Sequence, residues 1–439
     1  MVAQLRYVLN FAKLTQIRDQ HGVDHDVREA LGTHAWKVSD RLRTRLEDED
    51  HLGPAVRVLP GLLEDTKMRR RVLVDNLGID PARIDHEVTV RKLVLVLGGG
   101  GGAGFGYAGL LTQLHRADLQ PELIVGTSIG SLLGCFRART RVHDLARLVE
   151  ANKRLSWSRV FSLGPEPSRY GLPATMRLHL RRAIGEFLLN EEGRVMALSE
   201  LEIPFYVVAT GLTVDALKHD LGYYEHFLDD VVKPGFVFRA SRLRHISKVA
   251  NLFKEFASTP EALRKVVFGF DPGTEDVDCI DATGFSCSVP GLLHYDVHRD
   301  DQRMKHLLDQ LYADYGITRL TEGGVVDNVP ARVAFKAAMQ GRLEGHRNCF
   351  ILAVDCFAPR PSTLIFYPIQ QVARANVIKS RPYANIYLPL SRTLSPLNLV
   401  PKPSDVARAS RWAMRDLEPH LPLIKSIFTP YPALEAATR

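Results

Sequence analysis

Gly126-Thr127-Ser128-Ile129-Gly130 is a G-x-S-x-G sequence, and it offers a hydroxyl for nucleophilic chemistry. Leu123-Ile124-Val125 before it reads as a strand, and Ser131-Leu132-Leu133-Gly134-Cys135-Phe136 after it can start a helix. A serine on such a sharp strand-to-helix turn is exposed at the end of a sheet, and Gly126 and Gly130 relieve crowding around it. The following helix would aim its N-terminal N–H groups at charge developing nearby. The plainer alternative is a structural turn serine. A nucleophile also needs an anion site and a base. Gly98 to Gly106 is glycine at every position except Ala103 and Phe105, and Gly99, Gly100, Gly101, Gly102 and Gly104 can present backbone N–H groups to an anion. That loop suits an oxyanion hole. It also satisfies G-x-G-x-x-G through Gly99, Gly101 and Gly104, with Asp118 or Glu122 to meet a ribose, and it could be only a tight turn. The Ser128 elbow favours the oxyanion reading, because a nucleotide site has no need of it. Thr321-Glu322-Gly323-Gly324-Val325-Val326-Asp327-Asn328-Val329-Pro330 supplies carboxylates beside a diglycine turn. Pro330 suits the first turn of a helix, and Asp327 and Asn328 could simply serve that helix start.

These groups need a scaffold. Leu93-Val94-Leu95-Val96-Leu97 is continuously apolar, as in a strand buried on both faces of a parallel sheet. A helical run from about Tyr107 to Arg116 follows, then the strand at Leu123 and the helix after Ser128, a βαβα pattern. Phe205–Ala209 and Phe350–Val354 are further strand candidates. Residues 1–90 read as a helical segment, with Leu5, Val8, Leu9 and Ala12 at helical spacing and the last stretch ending near Pro81. Its apolar stripe suits either a cap packed on the main domain or a docking helix, and Met68-Arg69-Arg70-Arg71 reads as a solvated face. Residues 140–200 read mostly as helix and loop interrupted by Pro165, Pro167 and Pro173, and residues 215–275 as mixed. A short amphipathic helix is expected around residues 404–417. The expected organisation is a helical segment over 1–90, a catalytic domain over 91–360, and a C-terminal extension over 361–439 packed on it.

Composition narrows the function classes. Of 439 residues 45% are hydrophobic and 24% charged, which excludes a disordered or fibrous chain. Lys and Arg exceed Asp and Glu by 57 to 50, a net +7, which favours anionic partners such as nucleic acid or a membrane surface, the plainer reading being a slightly basic soluble protein. Five cysteines without CxxC spacing suit a reduced compartment and small core positions, not a zinc site. The first residues lack a long apolar stretch with a cleavage site, and no run reaches the roughly 18 apolar residues of a spanning helix. The expected location is therefore the cytoplasm or a peripheral membrane surface.

Taken together, the glycine loop, G-T-S-I-G and E-G-G-V-V-D-N-V-P resemble the patatin-like phospholipases in order and approximate spacing. That family shows a G-G-G-x-R-G loop, a G-x-S-x-G elbow, and a D-G-G or D-G-A motif often continued as N-x-P. Thr283 to Leu292 is similar to the family's small-residue stretch before a proline. The resemblance covers roughly residues 92–360. It implies a three-layer α/β/α fold with a mostly parallel central sheet, preceded here by the helical N-terminal segment. It implies a lipid acyl hydrolase with Ser128 as nucleophile, Glu322 as base ahead of Gly323 and Gly324, and the five loop glycines as oxyanion donors. Asp327 is the alternative base. No cofactor or metal is implied. The implied partners are a phospholipid or other acyl ester and a peripheral membrane surface, with no nucleic acid; the sequence carries nothing on oligomeric state. Two departures stand out. Ala103 replaces the usual Arg or Lys, and Glu322 replaces Asp, adding a methylene that can move the carboxylate by on the order of an ångström. The rival readings are an α/β-hydrolase esterase using His346 or His420, an acyltransferase, and a non-catalytic lipid- or nucleotide-binding module.

Overall fold

The computed structural model describes residues 1–43, 53–163, 168–213, 219, 221–225, 239–297, 300–360 and 366–434. Pro165, Pro167 and part of the mixed stretch 215–275 lie outside the described residues. The chain divides into two compact units. The first comprises Met1–Lys92, Lys336–Phe350 and Pro422–Arg439; the second comprises Leu93–Phe335 and Ile351–Leu421.

The first unit is mainly helical. Helices Val2–Phe11, Arg28–Leu42, Gly53–Leu77 and Pro81–Thr89 bury an apolar cluster that includes Tyr7, Phe11, Leu31, Leu73, Ile84 and Val88. Two details differ from the sequence reading. A hairpin of β1 (Gln16–Arg18) and β2 (Asp24–Asp26) interrupts the helices, too short for its alternation to be legible. Pro81 opens a helix and does not end one. The Asp80 side chain accepts from the Ala82 N–H, and proline at the first helical position has no N–H to lose.

The second unit is built on a mostly parallel sheet. Its strands are β3 (Lys92–Leu97), β4 (Pro121–Thr127), β7 (Phe205–Leu212), β8 (Leu263–Phe268), β10 (Arg319–Thr321), β11 (Cys349–Asp355) and β12 (Ile386–Pro389). A smaller sheet joins β5 (Phe161–Leu163), β6 (Ala174–Leu178) and β9 (Gly291–His294). The order of the large sheet is β10-β7-β4-β3-β11-β12, with β8 also on β7. β3 with β4, β4 with β7, and β11 with β12 run parallel, whereas β8 and β10 run antiparallel to β7. The apolar runs of β3, β4 and β7 are buried along almost their whole length, as a sheet covered by helices on both faces requires. β5, β6 and the second half of β7 were not expected from the sequence.

The arrangement around β7 brings two of the sequence candidates together. β8 occupies one edge of β7 from Val207 to Leu212. The other edge is shared. β4 pairs with Phe205 to Val208, and β10 pairs with Thr210 to Leu212. β4 travels parallel to β7 and stops at Thr127 opposite Val208; β10 travels the other way and stops at Thr321 opposite Thr210. The two strands end facing each other, so Ser128 and Glu322, the next residue of each, meet over the gap. Helix Pro403–Leu417 matches the amphipathic stretch read from the sequence and lies on Tyr107–Arg116. The approach is backbone-close: a methyl at Gly109 would lie 2.3 Å from the Ser410 carbonyl oxygen.

Candidate active site

Ser128 sits between β4 and helix Ile129–Ala138 with φ 53° and ψ −127°. A side chain at positive φ is strained, and it persists only where the surroundings fix it. Those surroundings are visible. The Ser128 N–H donates to Ser286 Oγ at 2.8 Å, and Ser286 Oγ–H passes on to the Val208 carbonyl at 2.6 Å. The Ser128 carbonyl accepts from Ser131 N at 2.8 Å and from Ser131 Oγ at 2.6 Å. Glycine is required at the flanks by close approach. A Cβ at Gly130 would fall 2.1 Å from the Leu97 carbonyl oxygen, and one at Gly126 would fall 2.6 Å from Ser131 Cα. Ser286 lies in the small-residue stretch that the sequence singled out, but nothing in the sequence assigns it to the Ser128 amide.

Ser128 Oγ donates to Glu322 Oε2 at 3.1 Å. Glu322 is fixed from three sides: its N–H donates to the Ser288 carbonyl at 3.0 Å, its carbonyl accepts from Thr210 Oγ1 at 2.7 Å, and Oε1 accepts weakly from Gly324 N at 3.4 Å. The carboxyl is buried, and this loss of hydration raises its pKa from 4.5 to about 8, against the opposing pull of the Ser128 hydroxyl and the Gly324 N–H. The extra methylene of Glu over Asp therefore does not hold the carboxylate away from the serine.

The glycine loop runs as a short 3-10 helix, Gly101–Gly106, after β3. Its donors are fewer than the five the sequence suggested. Gly99 N–H is committed to the Asn328 carbonyl at 3.0 Å and Gly102 N–H to the Pro396 carbonyl at 2.9 Å. Gly104 is a packing position, where a Cβ would fall 2.3 Å from Ile129 Cγ2. The Gly100 and Gly101 N–H groups have no acceptor among the described residues. Gly99 instead keeps space open. A methyl there would lie 2.7 Å from Asn328 Oδ1, 3.1 Å from Ser128 Cβ and 3.6 Å from Glu322 Oε1. Ala103 is wholly buried, leaving that position no room for a hydrated cation.

A cavity of about 560 Å³ opens from Ser128 and Gly101. Its walls are overwhelmingly apolar and come from one side of each of several helices: Phe105 and Ala108, Ile129 and Leu133, Leu148, and Val406. No sequence signal separates these side chains from ordinary core positions, because a helix face lining a cavity has the same periodicity as one packed on a core.

A model of the family described as patatin-like phospholipase matches residues 95–335, more than half of the chain. The chain belongs to the patatin-like phospholipase family. No curated protein matches it. Within this patatin-like frame the other sequence candidates have different surroundings. Asp327 is buried with Oδ2 on Lys265 Nζ at 2.5 Å, and its carbonyl accepts from Thr127 Oγ1 at 2.9 Å. Asn328 Nδ2 reaches the Gly99 carbonyl at 3.4 Å, and Asn328 N–H donates to Asn376 Oδ1 at 3.0 Å. His346 faces Glu87 Oε2 at 3.1 Å and the Val90 carbonyl at 3.2 Å, all within the first unit. His420 lies in a 3-10 turn, and no histidine is among the described residues lining the patatin-like cavity. The acidic grouping compact enough for a cation, Asp278, Asp281 and Asp301, is already compensated: Arg181 bonds Asp278 at 2.7 Å and Asp281 at 2.6 Å, and Arg303 adds a further bond to Asp278.

Proposed function

We propose that this protein hydrolyses lipid carboxylic esters with Ser128 as nucleophile and Glu322 as general base. The observation that carries the reading is the 3.1 Å contact from Ser128 Oγ to Glu322 Oε2 at the mouth of an apolar cavity. Ionised Glu322 takes the Ser128 proton as Oγ attacks the ester carbonyl carbon. The resulting oxyanion accepts from the free N–H groups of Gly100 and Gly101, beside the N-terminus of helix Ile129–Ala138. Collapse breaks the bond from carbon to the alcohol oxygen, and Glu322 returns the proton to the leaving alcohol. Water then attacks the acyl-serine, Glu322 takes its proton, and a fatty acid leaves while Ser128 recovers its hydrogen. A cavity of about 560 Å³ with apolar walls is within the usual range for small ligands and suits one acyl chain.

The test is fatty-acid release across a panel of phospholipids, lysophospholipids and neutral esters, with wild type and Ser128→Ala, together with labelling by a fluorophosphonate. Release and labelling by wild type, both lost in Ser128→Ala, are expected. An unlabelled wild type without turnover on any ester would return the chain to a lipid-binding module.

A further inference from the structure

Between Arg137 and Glu186 there are eleven Lys and Arg against four Asp and Glu, an excess of seven. The whole chain has 57 against 50, also an excess of seven. Outside this stretch the charges balance in number, and acids from elsewhere take up part of the excess: Glu122 pairs with Arg141, Asp309 with Arg169, and Asp278 and Asp281 with Arg181. Two of the acids within the stretch each serve two cations. Glu150 serves both Lys153 and Arg154, at 3.8 and 3.0 Å, and Glu186 serves both Arg154 and Arg159, at 2.9 and 3.3 Å. The Arg182 guanidinium donates to the carbonyls of Arg159 and Ser158 at 3.0 and 2.6 Å.

The same segment walls the cavity on one side and stands in solvent on the other. Leu148, Leu155 and Phe161 line the cavity. Val142, Trp157 and Leu163 point outward with 68%, 54% and 61% of their surface exposed. Val149 does both, lining the cavity while 41% exposed, so the cavity rim comes to the surface here. The Trp157 ring packs against Phe161, itself a wall of the cavity, at 4.9 Å between centroids. Large apolar side chains standing off a cationic surface have no use against water. A nucleic acid would answer the charge but leave the apolar groups without a role. The interfacial zone of a bilayer answers both, taking tryptophan and aliphatic side chains at headgroup depth and cations at the phosphates.

We propose that the face bearing Val142, Trp157 and Leu163, among Lys153, Arg154 and Arg159, docks on an anionic lipid membrane, and that an acyl chain enters the cavity past Val149. This deepens the lipid-hydrolase reading and rests on it for its purpose, but its test does not need turnover. The full chain carrying Ser128→Ala is sedimented with vesicles of phosphatidylcholine, with and without phosphatidylglycerol. Phosphatidylglycerol should tighten binding by about tenfold or more, and added salt should undo the gain. In that background Trp157→Ala with Leu163→Ser should weaken binding by about tenfold, and Lys153→Gln with Arg154→Gln and Arg159→Gln should remove the response to phosphatidylglycerol. Melting temperatures within about a degree or two of the parent establish folded variants. A second readout is independent of those variants: with Trp36→Phe and Trp412→Phe, brominated lipid should quench the remaining Trp157 fluorescence. Unquenched Trp157, or vesicle binding unmoved by the apolar substitutions, overturns the proposal. Vesicle binding that persists in a wild type without esterase activity or fluorophosphonate labelling would sink the hydrolase reading and leave the docking face standing.

Discussion

Ser128 and Glu322, 194 residues apart in the chain, are joined by a 3.1 Å hydrogen bond because β4 and β10 end head to head along one edge of β7. The contact depends on the register of both strands against the same partner. A shift of either by one residue would turn its end to the opposite face of the sheet.

That geometry makes Glu322 sensitive in both directions. Glu322→Gln keeps the shape but cannot accept a proton, and kcat should fall about 10²–10⁴-fold. Glu322→Asp shortens a side chain that already reaches, so it should lower kcat by about 10²-fold. The family pattern alone, with Asp at this place, would argue that Asp retains or raises activity. Steady-state turnover of the three proteins on one ester decides between them, and an Asp variant as fast as wild type would mean that the 3.1 Å contact is not the productive one.

Burial of Glu322 should write itself into the pH profile. Its pKa is raised to about 8, and a base works only when ionised, so kcat/KM should climb with pH and level off above about 8. Stability runs the other way. Below the ordinary value of 4.5 the group is neutral whether the chain is folded or not. Between 4.5 and about 8 the unfolded chain releases the proton while the folded one keeps it, so stability is lost as pH rises through that window. Glu322→Gln escapes the loss, and its melting temperature should overtake wild type between about pH 5 and about pH 9. Parallel melting curves at all pH values would show that the carboxyl titrates normally.

Gly99 can be examined by a single methyl. Gly99→Ala places carbon 3.1 Å from Ser128 Cβ and 2.7 Å from Asn328 Oδ1. The Asn328 amide end can give a few tenths of an ångström, so the fold should survive. The serine and the base should be pushed apart, lowering kcat by about 10²-fold with a smaller change in KM. Fluorophosphonate labelling should slow in step, and unchanged labelling would remove the claim that the position guards the contact.

Lys265 and Asp327 form the complementary control. Lys265→Met strands a buried carboxylate and should cost about 1–3 kcal/mol in urea unfolding, with little effect on turnover per folded molecule. Asp327→Asn should likewise leave most of the rate. Should Asp327→Asn be as inactive as Glu322→Gln, the base has been placed on the wrong carboxylate.

Much of the fold is legible in the sequence. The short apolar, β-prone runs at Leu93, Leu123, Phe205 and Phe350 suit a doubly covered sheet, and they are found as β3, β4, β7 and β11. The helix at Tyr107–Arg116 lies where its spacing put it. β10, three residues long, and β8, with exposed Arg264 and Lys265, carry too little pattern to be seen, yet they complete β7. The loop glycines were visible as a group, but their division of labour was not. Whether a particular N–H is free depends on which carbonyl lies opposite, and the Asn328 and Pro396 carbonyls come from far along the chain. The same holds for the cavity, where a missing neighbour leaves no mark on the residues around it.

The Gly102 N–H to Pro396 carbonyl bond has a bearing on what counts as a portable piece of this protein. The family match ends at residue 335. The glycine loop nonetheless leans on chain beyond it. Methyls at Gly100, Gly101 and Gly102 would meet Cys356 Sγ at 2.7 Å, the Pro396 carbonyl oxygen at 2.5 Å and the Asn398 carbonyl oxygen at 2.4 Å. A fragment cut at the family boundary would keep Ser128 and Glu322 in sequence while removing the wall against which the glycine loop packs. Grafting, truncation or fusion should therefore treat residues 356 and 395–399 as part of the proposed catalytic module, although they lie outside the stretch by which the family is recognised.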